Sequence, residues 1–179
     1  MESNSEAYKK QEIEQALGTQ DWARYLFAHD DADRPNALIE IESRLDDAEY
    51  WKLVRLAWTQ SDSLTINNAA WRKLFLASRS SRHELMEEDE RQALDELENP
   101  LLIHRGHTEF NPDGWSWTLS YSLAIKFAKT PGGWPEAGSP VVTQARVDKE
   151  KVIAFFKKLG EFEILIDPSD ARGHESVSA

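Results

Sequence analysis

Two glutamates, Glu161 and Glu163, stand two residues apart at the mouth of an apolar run, Ile164-Leu165-Ile166. Side chains alternate along a strand, so this spacing predicts both carboxylates on one face, about 7 Å apart, with Phe162, Ile164 and Ile166 on the other. Like charges repel, and two acids at the edge of a buried element suit a site that stabilises developing positive charge or handles a proton. The plain alternative is a charged strand entrance facing water. Two further stretches mix polar chemistry with burial. Leu101-Leu102-Ile103-His104-Arg105-Gly106 reads as a strand with Leu101, Ile103 and Arg105 on one face, and Ser116-Trp117-Thr118 as a short strand with hydroxyls on alternate residues.

These groups are positioned by a chain whose periodicity changes at Pro100. Residues 1–99 repeat apolar side chains every three or four positions, which predicts a helical half. A first helix is expected from Ser5 to Leu17, ending at Gly18 in the left-handed conformation, and a second from Asp21 to Ala28. Pro35 opens a third. Tyr50, Trp51, Val54, Ala57 and Trp58 form the stripe of a fourth, and Ala70, Trp71, Leu74 and Phe75 that of a fifth. Aromatic residues at this spacing read as core rather than as a stacking shelf for nucleotides. Ser81-Arg82-His83-Glu84 fits a capping box, which predicts a helix from Ser81 that Asn99-Pro100 ends.

Beyond Pro100 the period becomes two. Strands are expected at 101–106, 115–118, 141–147 and from the two glutamates onward, with a further one or two hidden in Glu109 to Asn111 or elsewhere. Ser120 caps a helix that turns Leu123, Ala124, Phe127 and Ala128 inward, and Asp148 caps another through Val152, Ile153 and Phe156 to Gly160. The stretch from Thr130 to Pro140, rich in Gly and Pro and carrying Trp134, has the length of a lid or ligand-binding loop. The expected fold class is α+β: a helical region over 1–99, a β-rich core over 100–168, and a loosely ordered tail over 169–179.

Composition narrows the function classes. A net charge of −11 over 179 residues disfavours a protein that grips nucleic-acid phosphates, and the cluster Arg72, Lys73, Arg79 and Arg82 reads as a basic patch or as the wet face of a helix. No apolar run approaches the roughly 18 residues of a membrane span, so no membrane partner is expected. The first residues carry neither a basic nor an apolar stretch, which predicts no secretory signal. Zero Cys excludes thiolate metal sites and fits a reducing, cytoplasmic setting.

Taken in order, Arg105-Gly106, Ser116-Trp117-Thr118, the helix Ala124-Ile125-Lys126-Phe127-Ala128 and Glu161-Phe162-Glu163 before an apolar run resemble the Arg/Ser/Glu class of mono-ADP-ribosyltransferases over residues 101–168. The resemblance implies packed β-sheets of that family's type, NAD as substrate, no metal, and a protein acceptor. It assigns Glu163 as the catalytic carboxylate beside the ribose, Ser116 as the residue that orients it, and Arg105 as a group that reaches the nucleotide's phosphate and ribose. Gly106 would let backbone amides approach the nicotinamide, Thr118 completes the middle motif, and Trp134 would stack on the nicotinamide. Glu161 would serve the acceptor, which the Glu-x-Glu form implies is arginine. The middle motif departs from the usual Ser-Thr-Ser, and the Gly/Pro-rich loop has no Arg.

Three rivals stand beside this reading. The same pocket could hydrolyse NAD with water as acceptor, or the fold could persist as a binding module without catalysis. A glycosidase pair fits poorly, because two acids on one strand face lie on the same side of a sugar rather than flanking its bond.

Overall fold

The computed structural model describes residues 4–61, 68–108, 113–129, 138–157 and 160–178, and the chain divides into two compact units, Met1–Leu85 and Met86–Ala179. The described part of the first unit is helical: α1 (Asn4–Thr19), α2 (Trp22–Phe27), α3 (Arg34–Ile41), α4 (Asp47–Thr59) and α5 (Asn68–Phe75), with short 3-10 turns at Glu42–Arg44 and Arg82–Leu85. Asp46 caps α4 by accepting the Glu49 amide at 2.8 Å. The aromatic stripes of α4 and α5 meet inside this unit, with Trp58 edge-on to Trp71 at 4.9 Å and Trp71 stacked on Phe75 at 5.2 Å. Their polar handles are satisfied: Tyr50 Oη donates to the Leu74 carbonyl at 2.9 Å and Trp51 Nε1 to that of Ser80 at 2.7 Å.

Three of the four cations of the candidate basic patch have named partners within the same unit. Lys73 pairs with Glu42 at 2.7 Å, Arg79 with Asp47 at 3.2 Å, and Arg82 donates to the Phe75 carbonyl at 3.3 Å. Two expected helix boundaries move. α1 continues through Gly18, because the Thr19 hydroxyl donates back to Gln15 at 3.0 Å, and Gln20 takes the left-handed turn with φ 57°. Ser81 begins no long helix; its own φ is 58°, and its carbonyl accepts Glu84 N–H at 2.9 Å in a single 3-10 turn.

The second unit opens instead with α6 (Glu88–Glu96), where Glu90 reaches back to the Glu87 amide at 2.8 Å, a second capping-box pattern displaced six residues from the first. Its strands are β1 (Leu101–Thr108), β2 (Ser116–Thr118), β3 (Pro140–Val147), β4 (Val152–Phe156), β5 (Glu163–Ile166) and β6 (Arg172–Ser178), with α7 (Tyr121–Lys129) between β2 and β3. They form one antiparallel sheet in the order β4-β5-β2-β1-β3-β6, rather than the packed sheets expected.

Strand alternation gives the sheet two apolar faces, each with a helix. On one, Leu101, Ile103, Trp117, Ala145, Phe155, Ile164 and Ile166 form a buried core with Leu94 of α6. On the other, Ala124 and Ala128 of α7 pack against Val142. Ile125, rather than the 39% exposed Phe127, completes that contact.

Two sequence expectations change here. The helix expected after Asp148 is a 3-10 turn at Lys149–Lys151 followed by β4. Val152 to Phe156 is five consecutive apolar residues, a pattern that periodicity cannot separate from a helix; length and β-forming side chains decide for a strand. The tail is not loose: β6 pairs with β3, Val177 opposite Val142. An edge strand needs backbone partners more than apolar side chains, so its composition carried little signal. The additional strands are thus β4 and β6, while 109–111 lies outside the described residues.

Candidate functional site

The candidate residues of β1, β2 and β5 fall on three adjacent strands although the chain visits them far apart. His104 stands opposite Thr118, and Thr118 opposite Glu163. The same register continues outward to Phe156 of β4 on one side and to Gln144 and Glu175 on the other, a single row across all six strands. Cross-strand partners share a face, so Glu163, Thr118 and His104 belong to the face that α7 covers. Ser116 pairs with Leu165, one step along β5 from the glutamate row, so Thr118 rather than Ser116 is the direct neighbour of Glu163.

Thr118 also fixes the approach to β5. Its Oγ1 donates to the Glu161 carbonyl at 2.7 Å and accepts the Ser120 amide at 3.1 Å, while Leu119 N–H donates to the Phe162 carbonyl at 3.3 Å. Between the two glutamates, Phe162 has φ 47°, a left-handed conformation that costs a side-chain-bearing residue about 1–2 kcal/mol. β5 starts only at Glu163, so Glu161 is not on the same strand face. The two-residue spacing presumed continuous extended backbone; the left-handed residue breaks the alternation and turns Glu161 independently of Glu163. Glu161 and Glu163 are both half-buried, whereas Phe162 is 43% exposed.

Arg105 belongs by alternation to the opposite face from Glu163, alongside Ile103. Its Nη1 donates to the Ser116 carbonyl at 2.8 Å, and its guanidinium lies against Gly114 so closely that a Cβ there would sit 2.2 Å from Cζ. Burial lowers its pKa to about 10, against which the carboxylates of Asp113 and then Glu163 act to raise it. Arg105 therefore ties the β1–β2 connection to the start of β2. Gly106 has a packing reason too: a Cβ would lie 1.9 Å from the Ala124 carbonyl oxygen and 2.6 Å from the Ala128 nitrogen, so the missing side chain is the space α7 occupies.

His104 was not singled out by its sequence. It is 6% exposed, its ring meets Tyr121 edge-on at 5.3 Å, and its Nδ1 is buried with no hydrogen-bond partner among the described residues. Burial holds its pKa below the ordinary 6.5. Only the register, which pairs residues far apart in the chain, brings it into the glutamate row. Its neighbour on the other face, His107, is held by Nε2 to Thr143 Oγ1 and by Nδ1 to the Thr108 carbonyl, each at 2.8 Å.

Trp134 and most of its loop lie outside the described residues. Among the described residues no group of three or more His, Asp or Glu is arranged to hold a metal ion, and no helix is long and apolar enough to cross a membrane. No family model, curated protein or solved structure matches the chain.

Proposed function

We infer that this protein cleaves NAD between nicotinamide and ribose and transfers ADP-ribose to a protein side chain, arginine being the acceptor that the Glu-x-Glu pattern implies. The observation that carries the reading is the alignment of Glu163 with Thr118 on neighbouring strands, with the Arg105–Ser116 clamp on the next connection. Cleavage sends the C1′–N bond electrons to nicotinamide, which leaves neutral, and the ribose becomes oxocarbenium-like. A carboxylate fixed beside that carbon interacts more strongly with the transition state than with the ground state. Glu163 has that role here. An acceptor guanidine then attacks C1′ and loses a proton, for which Glu161 is the nearby base. Arg105 acts first as a positioning residue that holds the start of β2.

The test is nicotinamide release from NAD, followed in parallel with transfer of labelled ADP-ribose to proteins of a cell lysate. Release with labelling, both lost in Glu163→Gln, is the expected result. Release without labelling makes water the acceptor and the protein a glycohydrolase. Neither activity overturns the enzyme reading in favour of a binding module.

A further inference from the structure

A groove of about 530 Å³ runs between the last turn of α6 and the turn that precedes β5, with Ala93, Leu97, Leu119, Phe155 and Phe162 supplying apolar walls. Ser120 and two charged residues complete its lining, and the charged two differ in what they already hold. Lys157 Nζ is engaged by Asp89 at 3.0 Å. Glu96 takes a neutral amide, Gln92 Nε2, at 3.3 Å, and its carboxylate meets no cation among the described residues. The groove therefore presents apolar surface next to an uncompensated negative charge, on a chain whose net charge is −11. Its complement is an apolar side chain adjacent to a basic one.

We propose that this groove docks a polypeptide segment in which a large apolar residue neighbours Arg or Lys, and that this segment belongs to the acceptor protein; the second clause rests on the transferase reading above. Phe162 connects the groove to the site, since it forms one wall and stands in sequence between Glu161 and Glu163. Its left-handed φ and exposed ring hold an aromatic surface outward where a strand would have turned it into the core. By alternation Glu163 projects from the other face of β5, so a segment in the groove reaches the reaction round the start of the strand, past Glu161.

The probe is a short fluorescein-labelled peptide with Leu on both sides of Arg, titrated with the full chain without NAD and read by anisotropy. Two control peptides carry Glu for Arg, or Ser for both Leu. The expected result is saturable binding of the first peptide only. Glu96→Gln should weaken it several-fold and Glu96→Lys about tenfold, because reversal removes one surface-pair attraction and adds a repulsion. Glu96 is exposed on α6, and circular dichroism of both variants verifies that the fold is kept. Equal binding of all three peptides, no binding, or affinity unchanged in both variants overturns the groove assignment. Nicotinamide release by the same preparation separates the two readings: release without peptide binding sinks the groove alone, and binding without release sinks the transferase reading while the docking site stands.

Discussion

The Thr118 hydroxyl donates to the Glu161 carbonyl at 2.7 Å, while the Thr118 backbone faces Glu163 across the sheet. One residue of β2 thus determines where both glutamates stand, by a side-chain bond to the first and by strand register to the second. That coupling makes the left-handed turn at Phe162 a held conformation, since the cost of its φ is met by bonds from Thr118 and Leu119.

Thr118→Val keeps the volume and removes the hydroxyl. The Glu161 carbonyl and the Ser120 amide each lose a partner, at a cost of about 1–3 kcal/mol for each group that stays buried. The expected outcome is a lower denaturation midpoint, with faster hydrogen exchange confined to the turn before β5 and the start of α7. Unchanged exchange at Ser120 and Leu119 would show that the hydroxyl does not hold the turn.

Gly106 and Gly114 both lie against close neighbours, yet substitution should separate them. Ala at Gly106 drives its Cβ into the backbone of α7, at 1.9 Å from the Ala124 carbonyl oxygen, and rigid backbone cannot step aside. A loss of about 1–3 kcal/mol is expected, typical of overpacking. Ala at Gly114 meets the far end of the Arg105 side chain, which can swing away, so its stability cost should be smaller while the guanidinium moves off the Ser116 carbonyl. Urea midpoints of the two variants decide; equal losses would refute the distinction.

How much of this was legible in the sequence depends on the range of the interaction. The stripe of Trp51 and Trp58, the cap at Ser120 and a strand from Leu101 follow from neighbours within a few residues; the first two stand where they were expected, and the strand runs to Thr108, two residues past the expected 101–106. β4 is hidden in the sequence because five apolar residues in a row carry no period, and β6 because its edge position asks little of its side chains. In the candidate site, residue types pointed to Arg105, Ser116 and Glu163, but register did not. That Thr118 rather than Ser116 faces Glu163, and that His104 joins them, are facts of strand pairing over dozens of residues. The left-handed Phe162 had no sequence signal, since Gly or Asn is the usual residue at such a φ.

His104 gives the sheet unit a pH dependence of defined sign. Its folded pKa lies below 6.5 because burial disfavours the charged ring, so below that pH the unfolded chain binds more protons than the folded one. Stability is fully present above 6.5 and is lost as the pH falls through the window between 6.5 and the folded value. His104→Phe retains a ring against Tyr121 and removes the titration. The difference in urea midpoint between pH 7.5 and about 5.5 should shrink relative to wild type. His29, whose pKa burial also lowers, contributes equally to both proteins and cancels in the comparison. An undiminished pH dependence in the variant would place the titration elsewhere.

The turn at Phe162 places the two glutamates in different surroundings. Glu163 opens β5 in register with Thr118; Glu161 precedes the strand, beyond a left-handed residue, with its carbonyl held by Thr118. In Glu163→Gln the amide is isosteric but cannot neutralise an oxocarbenium, and loss of one such contact costs about 3 kcal/mol, hundreds-fold in rate, so nicotinamide release and transfer should fall together. Glu161→Gln should act later, on the acceptor. A guanidine that attacks C1′ must shed a proton, and Gln cannot take it. Transfer to arginine should therefore drop well below the wild-type rate while slow hydrolysis of NAD by water largely persists. Agmatine, a free guanidine, serves as acceptor in that assay, so loss of protein docking cannot mimic the effect. If Glu161→Gln lowers hydrolysis and transfer by the same factor, the two acids act as one unit on the sugar, and the separate acceptor role of Glu161 is wrong.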